Sequence, residues 1–118
     1  MISERRHHPR IACHLPVKLH WQDGPRAIET LTKDVSLGGV RCLSPLPRPV
    51  SAPVSIELTL GTSHEPIVAR AAVSWFQSIP ASEQFYLGIA FVRIEDHDSQ
   101  FLSSYLTKIS HQLTSSRS

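Results

Sequence analysis

The sequence predicts a mostly β domain: a small antiparallel barrel or sandwich of six strands followed by one C-terminal helix. Three observations carry this. Six segments either alternate apolar and polar residues or form short apolar runs rich in β-branched side chains. Turn and proline chemistry separates them at short intervals. Near residue 95 the apolar spacing changes from a period of two to a helical one. A chain of 118 residues has room for one domain. Such a domain buries roughly two-thirds of the surface that its unfolded chain exposes, enough for one sizeable core.

The first strand is expected over 11–21, "IACHLPVKLHW". There Ile11, Cys13, Leu15, Val17, Leu19 and Trp21 share one face and Pro16 marks a bulge or an edge. "QDGP" turns the chain, a second strand follows over 27–34 and a third over 39–44, "GVRCLS". Pro45, Pro47, Pro49 and Pro53 predict a stiff connector that stays out of any central strand. "VSIELTL" (54–60), "IVARAAVSWFQ" (67–77) and "FYLGIAFVRI" (85–94) complete the six. Trp75, Phe76, Phe91 and Tyr105 read as core or barrel–helix packing. Phe101, Leu102, Tyr105, Leu106, Ile109 and Leu113 then recur at helical spacing, after Asp96, Asp98 and Ser99 as capping and first-turn residues. The expected organisation is a flexible N-terminal arm at 1–10, the barrel at 11–94, the helix at 95–113 and a disordered tail at 114–118.

Charge is modest in total and uneven in place. The formal net charge is +2, with 12 basic and 10 acidic residues. Residues 1–20 hold four of the basic ones against Glu4 alone, which leaves eight basic and nine acidic residues beyond. A field this local suits a small anion better than a polyanion, and argues against a nucleic-acid coat or a polybasic membrane anchor. No apolar run has signal-peptide length or approaches the ~20 residues of a membrane span, so no membrane insertion and a cytoplasmic location are expected. The sequence offers no attached output domain, so whatever responds is expected to be another protein. The two cysteines, Cys13 and Cys42, lack metal-type spacing and read as buried free thiols. Seven histidines are present, but His7 and His8 point oppositely in an extended chain. His14 and His20 lie roughly 20 Å apart on a continuous strand. No metal and no cofactor are expected.

Two motifs stand out. "RRHHPR", 5–10, holds Arg6 and Arg10 at an RxxxR spacing, with Arg5 immediately before. "DVSLGG", 34–39, places Asp34 and Ser36 two apart on one side of a strand end, and its tandem glycines allow close approach by another group. By itself the second string is ordinary turn chemistry. "DVSLGG" also lacks the nucleophile-elbow pattern, and no base accompanies Ser36, so catalysis is not expected.

The pairing of the two motifs, in this order, resembles the PilZ domain, a bacterial receptor module for the second messenger cyclic di-GMP. "LPVKL", "AAVSW" and "LGIAF" in the first, fifth and sixth strands are similar to the family too, and the resemblance spans about residues 4 to 110. It implies a six-stranded antiparallel PilZ-like β-barrel with a C-terminal helix. It assigns Arg6 and Arg10 to guanines and phosphates of the ligand, and Asp34 and Ser36 to a guanine edge and its phosphate. Gly39 keeps the wall low, and Arg5 implies a stacked ligand dimer. The chemistry agrees: arginine grips guanine or phosphate in bidentate fashion and also stacks on a purine. Asp34 can accept from the N1 and N2 donors of guanine.

The reading is therefore a cyclic di-GMP receptor whose arm orders on the ligand and signals to an unidentified effector protein. The alternative is a PilZ-like adaptor that works through protein contacts without nucleotide. A small barrel for single-stranded nucleic acid would need a basic groove with aromatics, and the net charge disfavours it.

Overall fold

The computed structural model describes residues 9–22, 24, 27–61 and 65–115. Arg5, Arg6, His7 and His8, and with them most of the expected flexible arm, lie outside the described residues, as do residues 116–118.

Seven strands and one helix run in order: β1 (Ile11–Ala12), β2 (Pro16–Trp21), β3 (Ile28–Ser36), β4 (Gly39–Ser44), β5 (Pro53–Leu58), β6 (Ile67–Ser78), β7 (Phe85–Ile94) and α1 (Asp96–Ser115). All pairings are antiparallel. The sheet runs β1-β3-β2-β5-β6-β7-β4, and a further β3–β4 pairing closes six of the strands into a barrel. β1 extends the edge of β3 beyond the end of β2.

The expected first strand is split into β1 and β2. Ala12 pairs with Asp34 and Pro16 with Leu31, so Cys13–Leu15 face only two residues of β3. The buried Thr32 hydroxyl holds this bulge. It donates to the Cys13 carbonyl at 2.6 Å and accepts from the Leu15 amide at 2.9 Å. Pro16 starts β2, where its missing N–H costs no ladder bond. Pro53 corrects the connector reading: it is the first residue of β5, paired with Ala72, in a strand flanked on both sides. α1 continues through Thr114 and Ser115, past the expected end of the helix.

The interior faces of all the long strands supply one core, with Leu19, Ile56, Leu58 and Leu87 fully buried. Each such side chain stabilises by about 1.5–3 kcal/mol relative to exposure. α1 lays Leu102 and Leu106 on this core, with Phe101 and Tyr105 beside them. Arg48, from the proline connector, stacks 4.5 Å over the Trp21 ring. Among the described residues, no helix is long and apolar enough to cross a membrane.

Two further bulges set the outer wall, because one extra residue reverses which face later side chains occupy. On β3, Thr32 pairs with Cys42 and Asp34 with Arg41, which leaves Lys33 as the extra residue. Before it, Ile28 and Thr32 face the core; after it Val35 does, and Asp34 turns to the outer wall. On β6, Val73 pairs with Ile89 and Trp75 with Gly88, which makes Ser74 the extra residue.

Candidate functional site

The outer wall over β3, β4, β7 and β6 presents two rows of side chains across adjacent strands. One runs Asp34, Arg41, Gly88, Trp75; the other runs Ser36, Gly39, Ala90, Ala72. The second row is built from small residues, and Gly88 adds one to the first before Trp75 ends it. Between them lies a shallow depression of about 170 Å³, lined by Arg10, Ser36, Gly38, Gly39, Trp75 and Gly88 among others.

Asp34 anchors one side. Its carboxylate is 8% exposed and takes an arginine on each oxygen: Arg10 Nη1 on Oδ1 and Arg41 Nη2 on Oδ2, both at 2.7 Å. Charge-assisted contacts this short, on a group nearly out of water, are the strong kind. Two guanidiniums against one carboxylate leave the cluster with a local net charge of +1. Arg41 and Lys33 also lie 5.3 and 5.9 Å from the centre of the Tyr86 ring, within cation–π reach. Beside the carboxylate, burial first and the Asp34 charge second raise the Cys13 thiol above its ordinary pKa. Cys13 and Cys42 are both free.

The turn from β3 to β4 has two residues, Leu37 and Gly38, between the paired Ser36 and Gly39. The Gly38 amide donates to Ser36 Oγ at 3.0 Å, so that hydroxyl serves the turn as a short side chain commonly does. Gly39 is required by its neighbour: a Cβ there would sit 2.1 Å from the Ile89 carbonyl oxygen. Gly88 is covered in the same way by Trp75, whose indole carbons and nitrogen lie where its Cβ would be.

Of the residues picked out in the sequence, the fold brings Arg10, Asp34, Ser36 and Gly39 to one place, while Arg5 and Arg6 lie outside the described residues. Two aromatic expectations are corrected. Trp75 is not a core residue but lines the depression, because Ser74 rephases β6, and Phe76 is 45% exposed at its far end. Arg41 was missed although the signal was present: a two-residue turn between Ser36 and Gly39 puts residue 41 opposite residue 34 by counting. Two larger grooves, about 350 and 340 Å³, lie on the β2–β5 side of the barrel, where His20 pairs with Glu57.

Comparison with known proteins agrees with this architecture. The PilZ domain family model matches residues 4–108. Among solved structures the chain is similar to the Bacillus subtilis inhibitor of motility (MotI/DgrA), with a TM-score of 0.77, 24% identity, and coverage of 93% of this chain and 52% of that one. The chain thus spans about half the length of that protein. It is similar to the PilZ domain with c-di-GMP of YcgR from Escherichia coli, with a TM-score of 0.72, 16% identity and coverage of 96% and 97%. It is also similar to a tetrameric PilZ domain protein from Xanthomonas campestris, self-assembled via a helical bundle, with a TM-score of 0.72, 14% identity and coverage of 92% and 90%. At these identities the structural likeness shows the fold alone, and no curated protein matches the chain. With the family model spanning nearly the whole sequence and a closed six-stranded barrel bringing Arg10 beside the DVSLGG turn, the chain belongs to the PilZ domain family.

Proposed function

We propose that the chain is a non-catalytic receptor that binds cyclic di-GMP on the outer wall beside Asp34. The observation that carries this is the cationic cluster of Arg10 and Arg41 on one carboxylate, at the rim of a depression floored by small residues. Arg10 stands where the arm joins the barrel, so Arg6 and Arg5, four and five residues earlier, are within one extended span of roughly 13–17 Å. In this reading Arg6 and Arg10 grip guanines and phosphates, Asp34 accepts from a guanine edge, Ser36 donates to its phosphate, and Gly39 leaves room. Arg5 favours two stacked nucleotides. The similarity to the c-di-GMP-bound PilZ domain of YcgR supports the ligand class. Ordering of residues 4–10 over the DxSxxG face then passes the signal to an effector protein in the cytoplasm.

A second reading has an observation of its own. Both oxygens of Asp34 already hold an arginine, so the cluster is satisfied without nucleotide, as an adaptor acting through protein contacts would have it.

Calorimetric titration of cyclic di-GMP at physiological salt, with GMP as control, separates the two. Saturable binding supports the receptor, and a stoichiometry near two supports the stacked dimer while a value near one removes it. No heat at high ligand concentration leaves the adaptor. Protection of the 4–10 amides from hydrogen exchange at saturation tests the ordering step; unchanged exchange refutes it.

A further inference from the structure

The two arginines on Asp34 are held by different parts of the molecule. Arg10 precedes β1 in irregular backbone, its side chain is 51% exposed, and it borders the depression. Arg41 lies in the middle of β4, with its backbone paired to Asp34 on one side and Gly88 on the other. Its Nη2 is spent on Asp34 and its guanidinium faces the Tyr86 ring, while its buried Nε has no hydrogen-bond partner among the described residues. Arg10 is the more exposed of the two, 51% against 38% for Arg41, and Arg41 is the one anchored in a strand paired on both sides.

Asp34 cannot be abandoned without penalty. A nearly buried carboxylate that loses its only cation is left as an uncompensated charge, and that penalty would hold Arg10 in place. A second, fixed cation removes the penalty. We infer that Arg41 is a positioning residue, which keeps Asp34 paired while Arg10 turns from the carboxylate to a bound phosphate or guanine. The inference rests on the receptor reading above and adds to it. With Arg41 present the cluster has one cation to spare; without it, Arg10 and Asp34 form a closed one-to-one pair, and each ligand must break that pair before it can bind. Arg41 thus acts through Arg10 and the carboxylate, with no need to touch the nucleotide.

The test is titration of cyclic di-GMP into the parent and a short set of variants, each checked for folding by circular dichroism. Arg41→Gln is expected to bind roughly tenfold more weakly. Arg41→Lys, which keeps the charge but not the planar fork, is expected to stay within about threefold of the parent. In an Asp34→Asn background, which itself weakens binding by removing the guanine acceptor but leaves no buried charge to compensate, Arg41→Gln is expected not to lower the residual affinity further. That background also protects the test against a variant that fails to fold. If Arg41→Gln binds like the parent, the inference is overturned and the receptor reading stands. If Arg41→Lys loses as much as Arg41→Gln, and the loss persists in the Asp34→Asn background, Arg41 contacts the ligand itself and the positioning role is wrong. If the parent does not bind, the receptor reading falls and takes this inference with it.

Discussion

Two carboxylates on the outer wall of this barrel meet a side-chain nitrogen at 2.7 Å, yet they do different work. Glu57 pairs with His20 across β2 and β5, with side chains 33% and 42% exposed. Asp34 is 8% exposed and carries two arginines. In water the first pair gains little, because solvent and salt screen it and both side chains lose freedom to form it. The second pair is a commitment: the carboxylate gave up its hydration and depends on its partners. Equal distances thus conceal unequal energetics, and burial decides which of the two carboxylates depends on its partners.

The sharpest way to test that contrast is at its backbone frame. Gly39→Ala would drive a methyl group into the Ile89 carbonyl, which is held in the β4–β7 ladder and cannot step aside. A loss of about 3 kcal/mol is expected in urea unfolding, near the top of the range for overpacking. An unshifted midpoint would mean that the two strands are not so tightly apposed. Next comes the carboxylate. Asp34→Ala should cost about 2 kcal/mol, less than for a fully buried pair because the stranded arginines can reach water.

Arg10→Ala should separate stability from binding. Arg41 still compensates Asp34, so unfolding should shift by under about 1 kcal/mol. Affinity for cyclic di-GMP should meanwhile fall by about 1–3 kcal/mol, roughly tenfold to a hundredfold. Equal effects on both would break the distinction between a structural and a ligand-facing arginine. At the exposed pair, His20→Ala should cost no more than about 0.5 kcal/mol, and less as salt rises.

A pH series adds an internal control on the core face of β4, opposite Arg41. Burial pushes the Cys42 thiol from an ordinary 9.0 up to about 12. Its folded value is raised, so the unfolded chain loses the proton first. Stability is therefore intact below about pH 9 and declines as pH climbs toward about 12. Cys42→Ala should flatten that decline, as unfolding midpoints across the alkaline range would show.

Much of this was legible in the chain itself. "FYLGIAFVRI" and "GVRCLS" coincide with β7 and β4, because alternation flanked by turn residues leaves a strand few other ways to bury its apolar face. The helix was readable from its change of period, and its ends differ from the expected ones by one residue at the start and two at the last turn. That Arg10, Asp34, Ser36 and Gly39 form one candidate site was readable as chemistry, and the motif order pointed to the family.

What the chain could not disclose is where a strand changes phase. An extra residue at Lys33 or Ser74 leaves local propensity untouched, and is stabilised only by the neighbouring strand that accommodates it. Extending the "AAVSW" alternation therefore sent Trp75 inward, while the barrel turns it out over Gly88. The same logic turns Asp34 outward to meet Arg10 and Arg41. Alternation along one strand is a local property, and the sequence by itself determined which residues form strands, turns and helix. Which wall each functional side chain occupies, and whether a carboxylate finds one cation or two, was decided by register between strands, which only the closed barrel sets.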